Sequence, residues 1–289
     1  MSESPAPPAA TPRTRSAPRT ARERVRRELT SEIKQVALAQ LASSGGAALS
    51  LRAIAREMGM ASSALFRYFR NRDALLTALI IDSYSSLAEA AETAEARVHH
   101  GSVEDRWVAI CRGVRTWAVA HPHQYALIFG SPIPGYAAPP GTVGPATRVP
   151  LLLSELLGDL EAGRLGEAGQ DAVDAKDAEE AEDAEEAEDA MDAEEAVDAE
   201  VPLAVRRAIE PVRSVMPEGV SDDLIVRGLM AWTYLFGAVS FEVFGHRHNV
   251  IADHDAFFDQ EIRRMAGLVG LAPARPRRSR RRRAGLKLE

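Results

Sequence analysis

Between positions 62 and 72 the sequence gathers Ser62, Ser63, Arg67, Tyr68 and Arg72. Hydroxyls and guanidiniums are the groups that read base edges in a DNA groove, and an arginine at a helix start is suited to a phosphate oxygen. Spacing matters as much as type: Leu65 and Phe69 stand four apart, on one face of a helix, and leave Ser62, Ser63, Arg67 and Tyr68 to the other faces. Residues for other chemistries lack such an arrangement. There is no Gly-x-Ser-x-Gly elbow, no phosphate-cradling glycine loop and no His-Glu-x-x-His helix, so no enzyme, cofactor or catalytic residue is expected. The single cysteine, Cys111, excludes an internal disulfide and has no activating partner in view. His121 with His123, and His246 with His248 near His254, are pairs two apart that cannot share a helix face, which favours surface histidines over a metal site.

The elements that must hold the 62–72 cluster follow from periodicity. Val25, Leu29, Ile33, Val36, Ala37 and Leu41 recur at three- and four-residue steps, predicting one amphipathic helix from about Thr20 to a stop before Gly45-Gly46. Ser50 precedes the stripe Leu51, Ile54, Ala55 and Met58 and is placed to cap a second helix, stopped by Gly59. A third helix is predicted from Ser62 or Ser63 through Phe69, and Asn71-Arg72-Asp73 opens a longer one running towards His99. Two short helices across a glycine turn are the arrangement that lays the second in a major groove while the first braces it.

Downstream, Val103–Ala120 and Gln124–Phe129 read as helices, Ser131–Pro150 as a Pro/Gly-rich loop, and Leu151–Leu160, Val201–Val215, Ser221–Phe244 and Ala256–Leu271 as further helices. Period-two alternation is absent, so the expected fold class is all-α, with an N-terminal helix-turn-helix domain and a C-terminal helical domain. Trp, Tyr, Phe and Met cluster in the latter together with His121 and Cys111, the composition of an apolar pocket with a few polar groups, and equally of an ordinary core. Helix 221–245 is apolar nearly all round and carries Gly228, Ala231, Gly237 and Ala238, which permit close approach of another helix.

Charge divides the chain sharply. The net charge of −7 conceals a stretch, 171–200, with sixteen Asp or Glu against Lys176 alone, a local −15, so the remainder carries +8. Seven Arg against Glu23 between 13 and 27, and eight cations between 275 and 287, make both ends basic, which suits a polyanionic partner. We expect residues 1–19 to form a disordered basic arm, 20–75 a helix-turn-helix domain, 76–271 a regulatory and dimerisation domain with a low-complexity acidic insertion at 164–200, and 272–289 a basic tail. No run of about eighteen consecutive apolar residues occurs, so no membrane partner is expected and a cytoplasmic location is.

Leu51-Arg-Ala-Ile-Ala-Arg-Glu-Met-Gly59, Ser63-Ala-Leu-Phe-Arg-Tyr-Phe69 and Asn71-Arg-Asp-Ala-Leu75 resemble the DNA-binding signature of the tetracycline-repressor (TetR) family over about residues 20–75. That resemblance implies base contacts from Met60, Ser62, Ser63 and Ala64, with Arg52 and Arg67 also in reach, and phosphate contacts from Ser50, Phe66, Tyr68 and Arg72. An aromatic hydroxyl is common at position 66; Phe66 lacks it and Tyr68 is the nearest substitute. Trp117-Ala-Val-Ala-His-Pro-His-Gln-Tyr125, Phe129-Gly-Ser-Pro-Ile-Pro-Gly-Tyr136 and Trp232-Thr-Tyr-Leu-Phe-Gly237 resemble the regulatory domain of one subgroup. That likeness implies a regulatory role, and the aromatic-rich composition of the region makes Cys111, Trp117, His121, Tyr125, Phe129, Trp232 and Phe236 the expected pocket for an unknown small-molecule effector. The implied partner is double-stranded operator DNA, gripped by a homodimer joined through helices near 221–245 and 256–271, repressing until the effector releases it.

Overall fold

The computed structural model describes residues 21–44, 49–178 and 201–271. The described residues form α-helices, one 3-10 turn and no strand, so the fold is all-α. The chain divides into two compact units, residues 1–75 and 76–289.

The first unit contains α1 (Ala21–Ser44), α2 (Leu51–Glu57), α3 (Ser62–Leu65) and the opening residues of α4 (Arg72–Ala96). Its core is one small cluster: Ile33, Ala37 and Leu41 from α1, Leu51, Ile54 and Ala55 from α2, then Leu65 and Phe69 are all buried. Each large member contributes about 1.5–3 kcal/mol on leaving water, enough together to hold α2 and α3, too short to be stable alone, against α1. Val25 departs from the predicted stripe: it is half exposed, and burial along α1 is complete only from Ile33. The first two turns of α1 therefore present Arg22, Arg24, Arg26 and Arg27 to solvent.

The second unit contains the rest of α4, then α5 (Val103–Ala120), α6 (Pro122–Phe129), a 3-10 turn (Pro140–Thr142), α7 (Val143–Ala178), α8 (Leu203–Arg213), α9 (Asp222–Val243) and α10 (His254–Val269). α5 is the hub, packing on α6, α7, α9 and α10. Trp107, Ile110, Cys111, Val114, Trp117 and Ala118 form its buried stripe. Polar clamps fix the neighbours: the Trp107 indole donates to the Ile262 carbonyl at 2.9 Å, and Arg115 holds Glu242 through two bonds of 2.7 Å. Arg106 joins Glu95 of α4 and Asp159 of α7, both at 2.6 Å. Burial alone would raise the Glu95 carboxyl, but the hydrogen bonds from Arg106 and His99 outweigh it and hold the group below its usual range.

The helix starts obey local rules. Ser102 and Asp105 form a reciprocal capping box on α5, Ser221 caps α9, Asp253 caps α10, and Gly270 ends α10 at φ 81°. Several boundaries differ from expectation. α4 stops at Ala96, short of His99, and α6 starts at Pro122, a residue preset for a first helical turn. The larger correction is at 131–150: residues 143–150 are helical, not loop. Pro145 lies in the first turn, where its missing N–H has no intrahelical partner anyway. Pro150 is interior and costs about 3 kcal/mol, but Val149, Leu153, Leu156 and Leu157 are buried by the same helix, and their combined transfer outweighs that loss.

The expected arm at 1–19, the tail at 272–289 and the Gly45-Gly46 stop lie outside the described residues, as does most of the acidic stretch, of which the backbone to Ala178 continues α7. α4 and α9 are long and apolar enough by length and composition to cross a membrane, although no eighteen consecutive residues are apolar. Here Leu79, Leu87, Ala88 and Ala91 of α4 and Leu224, Ile225, Leu235 and Val239 of α9 are buried among other helices.

Candidate functional site

The geometry of the α2–α3 pair begins at its turn. The Gly59 amide donates to the Arg56 carbonyl at 3.2 Å and the Met60 amide to Ala55 at 2.8 Å, the double closure that requires a left-handed residue between them. Gly59 supplies it at φ 65°, and a Cβ there would meet nothing within 4 Å, so backbone conformation alone selects glycine. The Ser50 hydroxyl accepts from the Ala53 amide at 3.4 Å and starts α2; the Asn71 side chain accepts from the Ala74 amide at 2.8 Å and starts α4.

α3 is shorter than predicted. It ends at Leu65, and the chain tightens into turns in which Arg67 and Tyr68 donate to Ala64 and Leu65 at 3.2 and 2.9 Å. The anchors still work: Leu65 is fully buried and Phe69 nearly so. Ser62, Ser63, Phe66 and Arg67 are consequently exposed, as is Arg52 on α2, while Met60, Ala64, Tyr68, Ser50 and Arg72 are half-buried. Arg72 stands 3.5 Å from Asp73. Phe66, at 45% exposure, is a large ring in solvent with no polar atom to offer a phosphate.

Arg26 of α1 is the residue that sequence reasoning left out of the site. Its guanidinium donates to the Arg67 carbonyl at 3.4 Å and lies 5.4 Å from the centre of the Tyr68 ring. It thereby tethers the exposed turn to α1 and brings a further charge beside it. No spacing rule pairs positions 26 and 67; only the arginine-rich composition of 13–27 pointed this way. Between 21 and 75 ten Lys or Arg face five Asp or Glu, and a positive surface with hydroxyls at its tip is what a DNA backbone and groove attract.

In the second unit, Tyr125, Phe129, Phe236 and Trp232 form a chain of ring contacts at 4.9, 4.5 and 6.0 Å, with Tyr84 on Phe129 at 5.9 Å. Trp117 stacks on His121 at 5.2 Å and donates from its indole to Ser86. The Tyr125 hydroxyl sits between the Phe236 carbonyl at 3.0 Å and Ser240 at 2.9 Å; burial pushes its pKa up to about 12, only partly offset by the Ser240 bond. Cys111 is fully buried in the core, and burial pushes its thiol well above the usual range, which leaves it inert as a nucleophile. An almost wholly apolar cavity of about 280 Å³ lies elsewhere, bounded chiefly by α7, α8 and α9 with Trp107 of α5 and Val269 of α10, and is reached by Trp232 alone of the seven predicted pocket residues.

Residues 33–79 match the sequence model of the bacterial regulatory proteins of the tetR family, and residues 107–265 that of the tetracyclin repressor-like C-terminal domain. The HTH-type transcriptional regulator Rv1816 of Mycobacterium tuberculosis is 33% identical over 250 residues, spanning 84% of this chain and 93% of its own. The chain belongs to the TetR family. A Mycobacterium bovis regulator, Mb1846, matches to the same extent. Among solved structures, regulatory protein SCO4313 superposes with a TM-score of 0.63 at 29% identity, covering 86% of this chain and all of its own. A Rhodococcus protein of unknown function shares the fold at TM-score 0.53 and 20% identity over 82% of this chain and 94% of its own. This TetR-family chain is thus a DNA-binding transcriptional regulator, with the helix-turn-helix in its first unit.

Proposed function

We propose that this TetR-family protein is a cytoplasmic, effector-responsive repressor, without catalytic activity, that binds a palindromic operator as a homodimer. The observation that carries the reading is the exposed tip of the helix-turn-helix. Ser62, Ser63 and Arg67 stand free of the core while Leu65 and Phe69 anchor the turn behind them. Ser62, Ser63, Met60 and Ala64 would meet base edges with Arg52 and Arg67 beside them, and Ser50, Tyr68 and Arg72 would meet phosphates, with Phe66 giving only apolar contact.

Homodimerisation through α9 and α10 is favoured by their shared exposed face: Met230, Phe241 and Phe244 on one, Phe257 and Leu268 on the other, are all more than 40% exposed. A two-fold dimer matches two half-sites about one helical turn apart. Effector binding in the second unit would favour one of two conformations and reach the DNA-binding residues along α4, which runs unbroken from Arg72. Tyr136 holds α4 at Thr77 (3.0 Å) and Arg148 holds it at Glu92 (3.0 and 2.6 Å), which ties the α6–α7 segment to that helix.

Mobility shifts on fragments flanking the protein's own gene, followed by genome-wide mapping of bound DNA, test the reading. Specific shifts are expected, with Arg67→Ala losing about 1–3 kcal/mol if it reads a base, or lowering the salt slope by about one unit if it meets phosphate. A protein that binds all DNA equally, with Arg67→Ala indistinguishable from the parent, overturns it.

A further inference from the structure

The second unit holds the 280 Å³ cavity within its core, where natural packing leaves few voids larger than a water molecule. Its floor is Leu153, Leu156, Leu157, Ile225 and Ala231, all buried, and its mouth lies by Leu151, Val215 and Trp232, which are exposed. Ala231 leaves room in its wall that a larger side chain would take, whereas Gly228 packs against Leu157, whose Cδ1 a Cβ there would meet at 2.5 Å. The helix α8 that walls one side with Val212 is the first described element after the acidic stretch.

Three of the polar side chains of the lining are already engaged. Ser154 donates to the Leu151 carbonyl at 2.8 Å, Thr147 to the carbonyls of Val143 and Gly144, and the Trp107 indole to Ile262. Among the described residues, no Lys, Arg, His, Asp or Glu lines the space. A charged ligand would be desolvated there with no counter-ion, at a cost of several kcal/mol or more.

We infer that this cavity, rather than the ring cluster of Tyr125, Phe129 and Phe236, is the effector site, and that its ligand is an uncharged, hydrocarbon-rich small molecule with at most a lone polar group near Trp232. The inference rests on the effector-responsive reading given above. Charged and strongly polar effectors are excluded by the lining, and flat polar stacking ligands by the absence of paired donors within it.

N-phenyl-1-naphthylamine, which is neutral, and anilinonaphthalene sulfonate, the same skeleton with a permanent charge, serve as probes of the full-length protein. The neutral probe is expected to bind once per chain, to be displaced by decanol and not by decanoate or decylamine, and to outbind the sulfonate by about tenfold or more. Leu151→Trp, at the exposed mouth, and Ala231→Leu, in the wall, should each weaken the neutral probe about tenfold, with helicity checked by circular dichroism, while Phe236→Ala leaves it unchanged. Absence of neutral-probe binding, equal binding of the sulfonate, or loss in Phe236→Ala with retention in Leu151→Trp overturns the assignment. Operator binding is followed in parallel: a probe that occupies the cavity without altering the DNA shift upholds the site and its ligand class and refutes effector control, whereas failure of DNA binding alone refutes the repressor reading and leaves the cavity result standing.

Discussion

Gly59 shows how one residue's backbone decides the register of a DNA-reading tip. At φ 65° it lies where any L side chain costs roughly 1–2 kcal/mol, yet a Cβ would touch nothing. Gly59→Ala should therefore lower stability by about that amount in chemical denaturation, and Gly59→Asn by less, because asparagine tolerates the left-handed region. Equal losses for the two would contradict a purely conformational role. Tyr125 makes a second residue-scale prediction. Its folded pKa of about 12 exceeds the ordinary 10, so the unfolded chain ionises first. The stability this tyrosine adds is complete below pH 10 and is lost as pH rises from 10 to 12. Tyr234, raised to about 12 by burial and then by Glu261, acts in the same direction. Alkaline unfolding curves should steepen over that window, and Tyr125→Phe should flatten them.

Between elements, α4 approaches α5 closely at Gly113. A Cβ on Gly113 would lie 2.9 Å from the Ala90 carbonyl oxygen and 3.1 Å from the Ala91 Cα, both backbone atoms that cannot swing aside. Gly113→Val should force the helices apart at a cost of about 1–3 kcal/mol, read as a fall of several degrees in Tm. An unchanged Tm would mean that α4 slides freely on α5. Most element boundaries were legible because their causes are local: Ser50, Ser102, Ser221 and Asp253 cap within three residues, and the stripe on α5 repeats at helical spacing. The helical course of α7 through Pro145 and Pro150 was not, since proline reads as a breaker and only the burial of Leu153, Leu156 and Leu157 shows why the helix persists. The recognition helix erred the other way, ending at Leu65 although the pattern continues to Phe69.

For the molecule as a whole, the proposed homodimer is testable through the exposed apolar residues of α9 and α10. Placing charges there with Phe241→Glu and Leu268→Glu together should give a monomer by light scattering and weaken operator binding about a hundredfold, because each half-site would then be held alone. A double variant that stays dimeric and binds DNA normally would assign the interface to another face. The amino-acid sequence by itself determined an all-helical chain, the helix-turn-helix with its exposed Ser62, Ser63 and Arg67, and the family to which it belongs, because caps, glycine turns and helical periodicity act within a few residues. Only the tertiary structure decided that Arg26 reaches the Arg67 carbonyl, that Cys111 is sealed in the core, and that the apolar cavity among α7, α8 and α9 meets the predicted pocket residues at Trp232 alone. Those contacts join residues tens to more than a hundred positions apart, and a void is a property of what several helices jointly fail to fill, which no local pattern encodes.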